Sequence, residues 1–242
     1  MQSIQTLVIS LKDSLVRQQT VSRELAKTRL HWKFLDAVDG RKLDLRTVPY
    51  NSKKVKRLLG FELMPSEIGC YLSHMKAWQS CVNTQTITLI FEDDFVINDN
   101  LDELLETTFL QVPNWDIIRL QGLSECDDNL LQKIGSYRLA RNTSDPLGST
   151  AYIVRPTAAL QLLLHSSEIF EPVDHFLEHV EKHGLIVSAI KPYPITVVDM
   201  TRETTTITDR PERKSIRGIQ KKIRSIARAW DRISSNNPYF PK

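Results

Sequence analysis

Ile87-Thr88-Leu89-Ile90-Phe91-Glu92-Asp93-Asp94 is an apolar run that ends in three consecutive carboxylates. Alternating and then continuous apolar, β-branched and aromatic residues read as a buried strand. Three acids where such a strand ends would repel one another and would be costly to hold beside a core. Something positive is therefore expected there, and a divalent cation is the first candidate. A solvated acidic loop is the competing reading, since acidic triplets also occur on surfaces.

Outward from that run the chain alternates. Ile4 to Ser10 reads as a strand, Ser14 to Thr28 as a charged helix, and Trp32 to Val38 as a strand ending in the turn signal Asp39-Gly40. A basic, poorly patterned segment follows through Lys53, Lys54, Lys56 and Arg57. Pro65-Ser66-Glu67 opens a helix to about Cys81, with Ile68, Leu72, Met75 and Trp78-Gln79 at helical spacing. Trp115 to Leu120 and Gly148 to Val154 read as strands, Pro156 to Leu164 as a helix, Pro172 to about His183 as another, and Ile186 to Ile190 as a last strand. Such alternation predicts an α/β sandwich around a mostly parallel central sheet. Ligands of these sheets bind outside the carboxyl ends of the strands, where Asp39-Gly40 and Glu92-Asp93-Asp94 both fall. There is no Gly-x-Gly-x-x-Gly and no Gly-Lys-Ser/Thr, so a phosphate-bearing ligand would rely on metal and basic side chains rather than a glycine cradle.

The 242 residues, 41% hydrophobic and 25% charged, describe an ordinary globular chain. Cys70, Cys81 and Cys126 are odd in number and lack metal-ligand spacing, which predicts a reducing compartment. With no basic leader ahead of the first strand and no apolar stretch of membrane-spanning length, the expectation is a cytoplasmic protein. Its charge is uneven. Residues 210–242 hold ten Lys/Arg against two acids, a net +8, so the rest of this +3 chain carries −5. That divides the chain into a body, 1–209, and a basic tail, 210–242. In the tail Ile216, Ile219, Ile223, Ile226, Trp230 and Ile233 line one helical face while Lys221, Lys222, Arg224, Arg228 and Arg232 crowd the remainder. A basic amphipathic helix with an interfacial Trp suits an anionic membrane surface; packing of the Ile face on the body is the alternative.

Several pieces in order resemble glycosyltransferase family 25, enzymes of bacterial lipooligosaccharide outer-core extension related to collagen galactosyltransferases. They are Val8-Ile9-Ser10-Leu11 with Ser14 and Arg17, Asp36-Ala37-Val38-Asp39-Gly40, Ser66-Glu67-Ile68-Gly69-Cys70 with Ser73-His74, and Phe91-Glu92-Asp93-Asp94. Trp115-Asp116-Ile117-Ile118, Gly148-Ser149-Thr150-Ala151-Tyr152 and Pro172-Val173-Asp174 follow, so the resemblance reaches to about Asp209. The chain departs from the family pattern at Ser10, usually Asn, and at Ser66, usually Gly; the basic tail is not part of it.

The resemblance implies a GT-A-like, Rossmann-type fold, a UDP-sugar donor, a galactosyl or glucosyl product formed with inversion, and a lipid-linked saccharide acceptor at the cytoplasmic face of the inner membrane. A departing UDP develops negative charge on its β-phosphate, which Mn²⁺ or Mg²⁺ held by carboxylates offsets. By the resemblance Asp94 is the metal ligand, Asp93 touches metal or ribose, and Glu92 meets the sugar or a positioning partner. Ser10, Leu11, Arg17, Asp39, Gly40, Asp93 and His74 form the donor-binding set, with Arg17 as diphosphate clamp. Asp174 is the candidate general base, although an Asp at a helix start is also favoured by the helix dipole alone.

Other residues read more plainly. His175, His179 and His183 repeat at i, i+4, i+8, and a solvated histidine edge beside Phe176, Leu177 and Val180 is expected over a zinc site. Cys70 and Cys81 read as small core fillers, Trp78 and Trp115 as core. Two other functions fit clustered carboxylates less well. A metal-dependent nucleotidyltransferase or phosphohydrolase would need a second metal's ligands, for which only Asp174, Asp199 and Asp209 remain. A nucleic-acid-binding module would leave the acidic cluster unexplained.

Overall fold

The computed structural model describes residues 4–112, 114–124 and 126–198. The basic tail, Asp199 and Asp209 lie outside the described residues. The described elements are β1 (Ile4–Ser10), α1 (Leu15–Leu25), β2 (Trp32–Asp36), α2 (Ser52–Leu59), α3 (Pro65–Thr84), β3 (Ile87–Glu92), β4 (Phe95–Ile97), α4 (Leu101–Gln111) and β5 (Ile117–Arg119). They continue with β6 (Asp128–Ile134), β7 (Tyr137–Asn142), β8 (Ala151–Val154), α5 (Pro156–Leu164), α6 (Val173–Glu178), α7 (Val180–His183), β9 (Val187–Lys191) and β10 (Ile195–Val197).

Eight strands form one sheet in the order β2-β1-β3-β8-β5-β9-β7-β6, and β10 pairs with β4 beside it. The joins β1–β2, β1–β3 and β5–β9 are parallel; the other four are antiparallel. Only β8 and β7 run against the rest, so the sheet is mixed but points mainly one way. Its strands are apolar on both sides because both sides are covered. Leu7, Ile9, Ile90, Ile117, Tyr152 and Val154 join Ile68, Tyr71, Trp78, Ala158, Leu162 and Phe176 of α3, α5 and α6 in one core. The residues between them, Val8, Leu89, Phe91, Ile118 and Ile153, turn to the opposite core with Val21 and Leu25 of α1 and Leu101, Leu104 and Leu105 of α4. A side-chain period of two thus builds a helix–sheet–helix sandwich.

Several boundaries differ from the pattern reading, each for a local reason. The basic segment after Asn51 is helical: the Asn51 side chain accepts from Lys54 N–H at 2.8 Å, Val55 is buried, and Gly60 closes the helix with φ 82°. The buried face of α3 carries Ile68, Tyr71, His74, Ala77, Trp78 and Cys81, while Leu72 and Met75 are half-buried and Gln79 is exposed. The helix after Pro172 breaks at His179 (φ −82°, ψ 66°), so the three histidines share no face. The expected solvated histidine edge does not exist. His179 is buried against Glu171, 2.8 Å away, and His183 is buried with burial pushing its imidazole down to about 4. Trp78, Trp115 and Cys81 are core, as expected.

One close approach fixes the loop after β2. A Cβ on Gly40 would stand 1.9 Å from the Pro65 carbonyl oxygen, and one on Gly69 would stand 2.6 Å from that of Val38. Only glycine lets this loop lie directly on the first turns of α3. Ser73 ties it down by accepting from Val38 N–H at 2.8 Å.

Candidate active site

Because β2, β1 and β3 are parallel neighbours, their carboxyl ends open on one edge of the sheet. The loops leaving them and the N-terminal half of α3 enclose a cleft of about 500 Å³. Ser10, Leu11, Arg17, Asp39, Gly40, Glu92, Asp93 and Asp94 all line it, as does Cys70, so Cys70 is a cleft residue as well as a core neighbour. Beneath the acidic turn Phe91 and Phe95 are buried and stacked, ring centroids 4.3 Å apart. That staple anchors both ends of the turn and leaves the three carboxylates above it.

The three acids do not behave as one cluster. Asp93 meets α1 and its approach: it accepts from Arg17 Nη1 at 2.7 Å and from Ser10 Oγ at 2.6 Å. Glu92, on the other face of β3, meets α3 and accepts from His74 Nε2 at 3.2 Å and from Ser149 Oγ, both on Oε1. Burial works against the charge on Glu92, yet these bonds and the nearby Arg17 outweigh it and hold the carboxyl below its ordinary value. Asp94 has no such help. Its Oδ1 is buried without a hydrogen-bond partner, and burial, then the charge of Glu92, push its carboxyl from 3.8 up to about 7 against the pull of Arg17. Of the three, Asp94 is the acid with no ion pair among the described residues.

The donor set assembles with adjustments. Leu11 presents its carbonyl to Gln18 Nε2 at 2.9 Å. Asp39 caps the short helical turn Gly40–Lys42, and Arg41, bonded to it at 2.8 and 2.9 Å, holds its carboxyl well below the usual carboxylate range. His74 lines no part of the cleft itself; it is wholly buried behind Glu92, its Nδ1 2.8 Å from Tyr152 Oη, which also accepts from Trp78 Nε1 at 2.8 Å. Its expected donor contact is therefore corrected to a contact with Glu92. Asp174 likewise stands behind the cleft wall. It accepts from Gly148 N–H at 3.3 Å and from His175 N–H at 2.9 Å, next to the Ser149 that holds Glu92.

Two contributors had no role assigned from the sequence: Ser149, within the matched piece Gly148 to Tyr152, and Arg119. Ser149 reaches Glu92 only because the loop before β8 folds back. That loop places Leu147 and Gly148 at φ 56° and 85°, and buried Arg119 of β5 donates to both of their carbonyls while pairing with Glu178 of α6. The Arg119 side chain is 2% exposed.

A hard divalent cation fits this edge. Mn²⁺ and Mg²⁺ take oxygen ligands, and Asp94 offers a buried carboxylate whose Oδ1 has no described hydrogen-bond partner, with Asp93 adjacent. Cys70, His74 and Glu92 also bring a ligand atom each within 4.8 Å of one another. Asp39 is engaged by Arg41 and Lys42, and among the described residues no further acid lines the cleft to hold a second metal. No described helix is long and apolar enough to cross a membrane.

The profile of glycosyltransferase family 25 (LPS biosynthesis protein) matches residues 3–177. The lipooligosaccharide biosynthesis protein lic2B of Haemophilus influenzae is 27% identical over 168 residues, 65% of this chain and 62% of that one. A protein of Mus musculus named inactive glycosyltransferase 25 family member 3 is 31% identical over 134 residues, 48% of this chain and 21% of its own. The chain thus spans about three fifths of the first relative's length and about a fifth of the second's. A Drosophila β-1,4-galactosyltransferase 7, solved with manganese, UDP-Gal and xylobiose, aligns with a TM-score of 0.45 at 12% identity, over 91% of this chain and 79% of that one.

Proposed function

The chain belongs to glycosyltransferase family 25, and on that premise we propose that it is a metal-dependent hexosyltransferase, moving galactose or glucose from a UDP-sugar to a lipooligosaccharide core with inversion. Some relatives carry the name inactive, so the activity has to be argued from the cleft. The observation that carries it is Asp94: a buried carboxylate with no hydrogen-bonding partner on Oδ1, raised to about 7, at the sheet edge where the donor is expected.

In this reading Asp94, with Asp93, holds Mn²⁺ or Mg²⁺, which offsets charge on the departing diphosphate. The protein's own groups do the rest. Arg17 binds Asp93 through one Nη1 and lines the cleft, and a guanidinium has donors enough to reach a diphosphate oxygen as well. Leu11, Asp39 and Gly40 border the same space, where a nucleoside would lie. Glu92, held ionised, presents a carboxylate to the sugar. Asp174, partly exposed and bonded to Gly148 N–H, stays the candidate base. A nucleotidyltransferase or phosphohydrolase is the alternative; it would need a second set of carboxylates, and Asp199 and Asp209 lie outside the described residues.

Full-length protein, a panel of UDP-sugars and a truncated lipooligosaccharide acceptor test the proposal. Acceptor-dependent product from a UDP-hexose is expected with Mn²⁺ and not with EDTA. Nucleotide release that ignores the acceptor would favour hydrolysis, and full turnover in EDTA would remove the metal. The basic, amphipathic pattern of the tail supports a proposal that the enzyme works at an anionic cytoplasmic leaflet that carries such acceptors. Deleting residues from Arg213 onward should release the protein from anionic vesicles and preserve turnover on a soluble acceptor. Continued sedimentation, or unfolding, would make the tail structural.

A further inference from the structure

Behind Glu92 lies a buried chain of polar groups that the proposed reaction does not use: Trp78, Tyr152 and His74. Its bond directions can be worked out from one end. An indole N–H only donates, so Trp78 Nε1, 2.8 Å from Tyr152 Oη, occupies a lone pair on that oxygen. Tyr152 is buried, and burial drives its phenol well above the ordinary value, so the O–H keeps its proton. That proton needs an acceptor in a dry site, and the other described partner of Tyr152 Oη is His74 Nδ1 at 2.8 Å. Nδ1 therefore accepts. In a neutral ring the proton then sits on Nε2, which donates to Glu92 Oε1 at 3.2 Å. The opposite tautomer, or an imidazolium, would aim two N–H groups at the Tyr152 oxygen and leave its own O–H with no described acceptor.

We infer that Trp78 and Tyr152 lock His74 in the Nε2–H tautomer, making His74 a positioning residue that fixes Glu92 by Oε1 and turns Oε2 toward a hydroxyl group of the sugar in the cleft. Ser149 donates to the same oxygen, so both described bonds to Glu92 fall on Oε1 and the second oxygen is the one left to a ligand. Glu92 lines the cleft, and a carboxylate with one oxygen tied down is a directional acceptor for a sugar O–H. The same lock disfavours a soft metal at Cys70, His74 and Glu92, since a ligating Nε2 would have to give up its proton. The hydroxyl ligand rests on the transferase reading; the tautomer does not.

The two parts are tested separately. Full-length protein labelled with ¹⁵N-histidine, observed through long-range ¹⁵N–¹H correlations at neutral pH, should show His74 as Nε2–H, its signal assigned by loss in His74→Gln. In Tyr152→Phe the preference should collapse toward a mixture of tautomers. An Nδ1–H or imidazolium pattern in the parent would overturn the lock. In turnover, His74→Leu should lower kcat/KM for the UDP-sugar by about 10- to 100-fold, with affinity for UDP unchanged. His74→Gln, whose amide N–H can reach the Nε2 position, should recover about tenfold of that loss. Equal impairment of both variants, or a parallel loss of UDP affinity, would overturn the positioning role. Should His74→Leu fail to fold, Tyr152→Phe supplies the kinetic comparison. If no UDP-sugar is turned over by the parent, the transferase proposal fails while the NMR result still decides the lock.

Discussion

Asp94→Asn should abolish transfer and yet leave the metal-free protein at least as stable as its parent. The first half follows from the chemistry: losing a charged ligand removes several kcal/mol of transition-state stabilisation, at least about 100-fold in rate. The second half follows from the sign of the titration. Burial first, then Glu92 and Asp93, raise the Asp94 carboxyl from 3.8 to about 7. An acid whose value is raised on folding costs the native state nothing while it is protonated in both states. Its cost appears as pH rises above the unfolded value and is complete once pH passes the folded one. In EDTA at about pH 8 the variant should therefore melt at or above the parent, and near about pH 4 the two should coincide. Mn²⁺ should raise the melting temperature of the parent and leave the variant unmoved, because a ligand stabilises only the state that binds it. A variant that melts lower in EDTA would mean that Asp94 is structural and the metal assignment wrong.

The strand beneath that residue was legible for a plain reason. With helices on both sides, Ile87 to Phe91 is buried on both faces, so its pattern is continuous and ends sharply at the first charge. Parallel neighbours then put Ser10, Asp39 and Glu92 on one edge, where Leu11, Arg17, Gly40, Asp93 and Asp94 line the same cleft and His74 does not. Helix α4 was legible but unread: Asn100 caps it through Glu103 N–H, and Leu101, Leu104 and Leu105 recur on its buried face. The residues that hold Glu92 from behind were not legible. Whether His74 faces the donor or the back of Glu92 depends on which side of α3 packs on the sheet, and the buried set there is offset from Leu72, Met75 and Gln79. The histidine repeat failed because one residue, His179, leaves helical geometry, and no spacing rule sees that. Arg119 and Glu178 are 59 positions apart, so their pairing exists only in three dimensions.

Arg119→Ala should give the largest loss of stability among cleft-wall substitutions, about 3–5 kcal/mol, or on the order of 10 °C in melting temperature. Arg119 and Glu178 are 2% and 8% exposed, so removing the cation leaves a carboxylate buried and unpaired. The Gly148 carbonyl loses its described donor, and that of Leu147 keeps only Leu123 N–H. Leu147 is a non-glycine residue at φ 56°, a left-handed conformation that persists only where the surroundings hold it, and the guanidinium grips its carbonyl together with Leu123 N–H. A double replacement separates the two effects. Arg119→Met with Glu178→Leu exchanges the ion pair for apolar volume, which is often neutral for stability, so much of the melting temperature should return. Turnover should not return, since the guanidinium no longer grips the Leu147 and Gly148 carbonyls in the loop that places Ser149 on Glu92 and Gly148 N–H on Asp174. Thermal melts and kcat for parent, single and double variants decide the matter. A double variant that regains both stability and turnover would reduce this pair to core packing, whereas stability without turnover would show that the loop is positioned by charge.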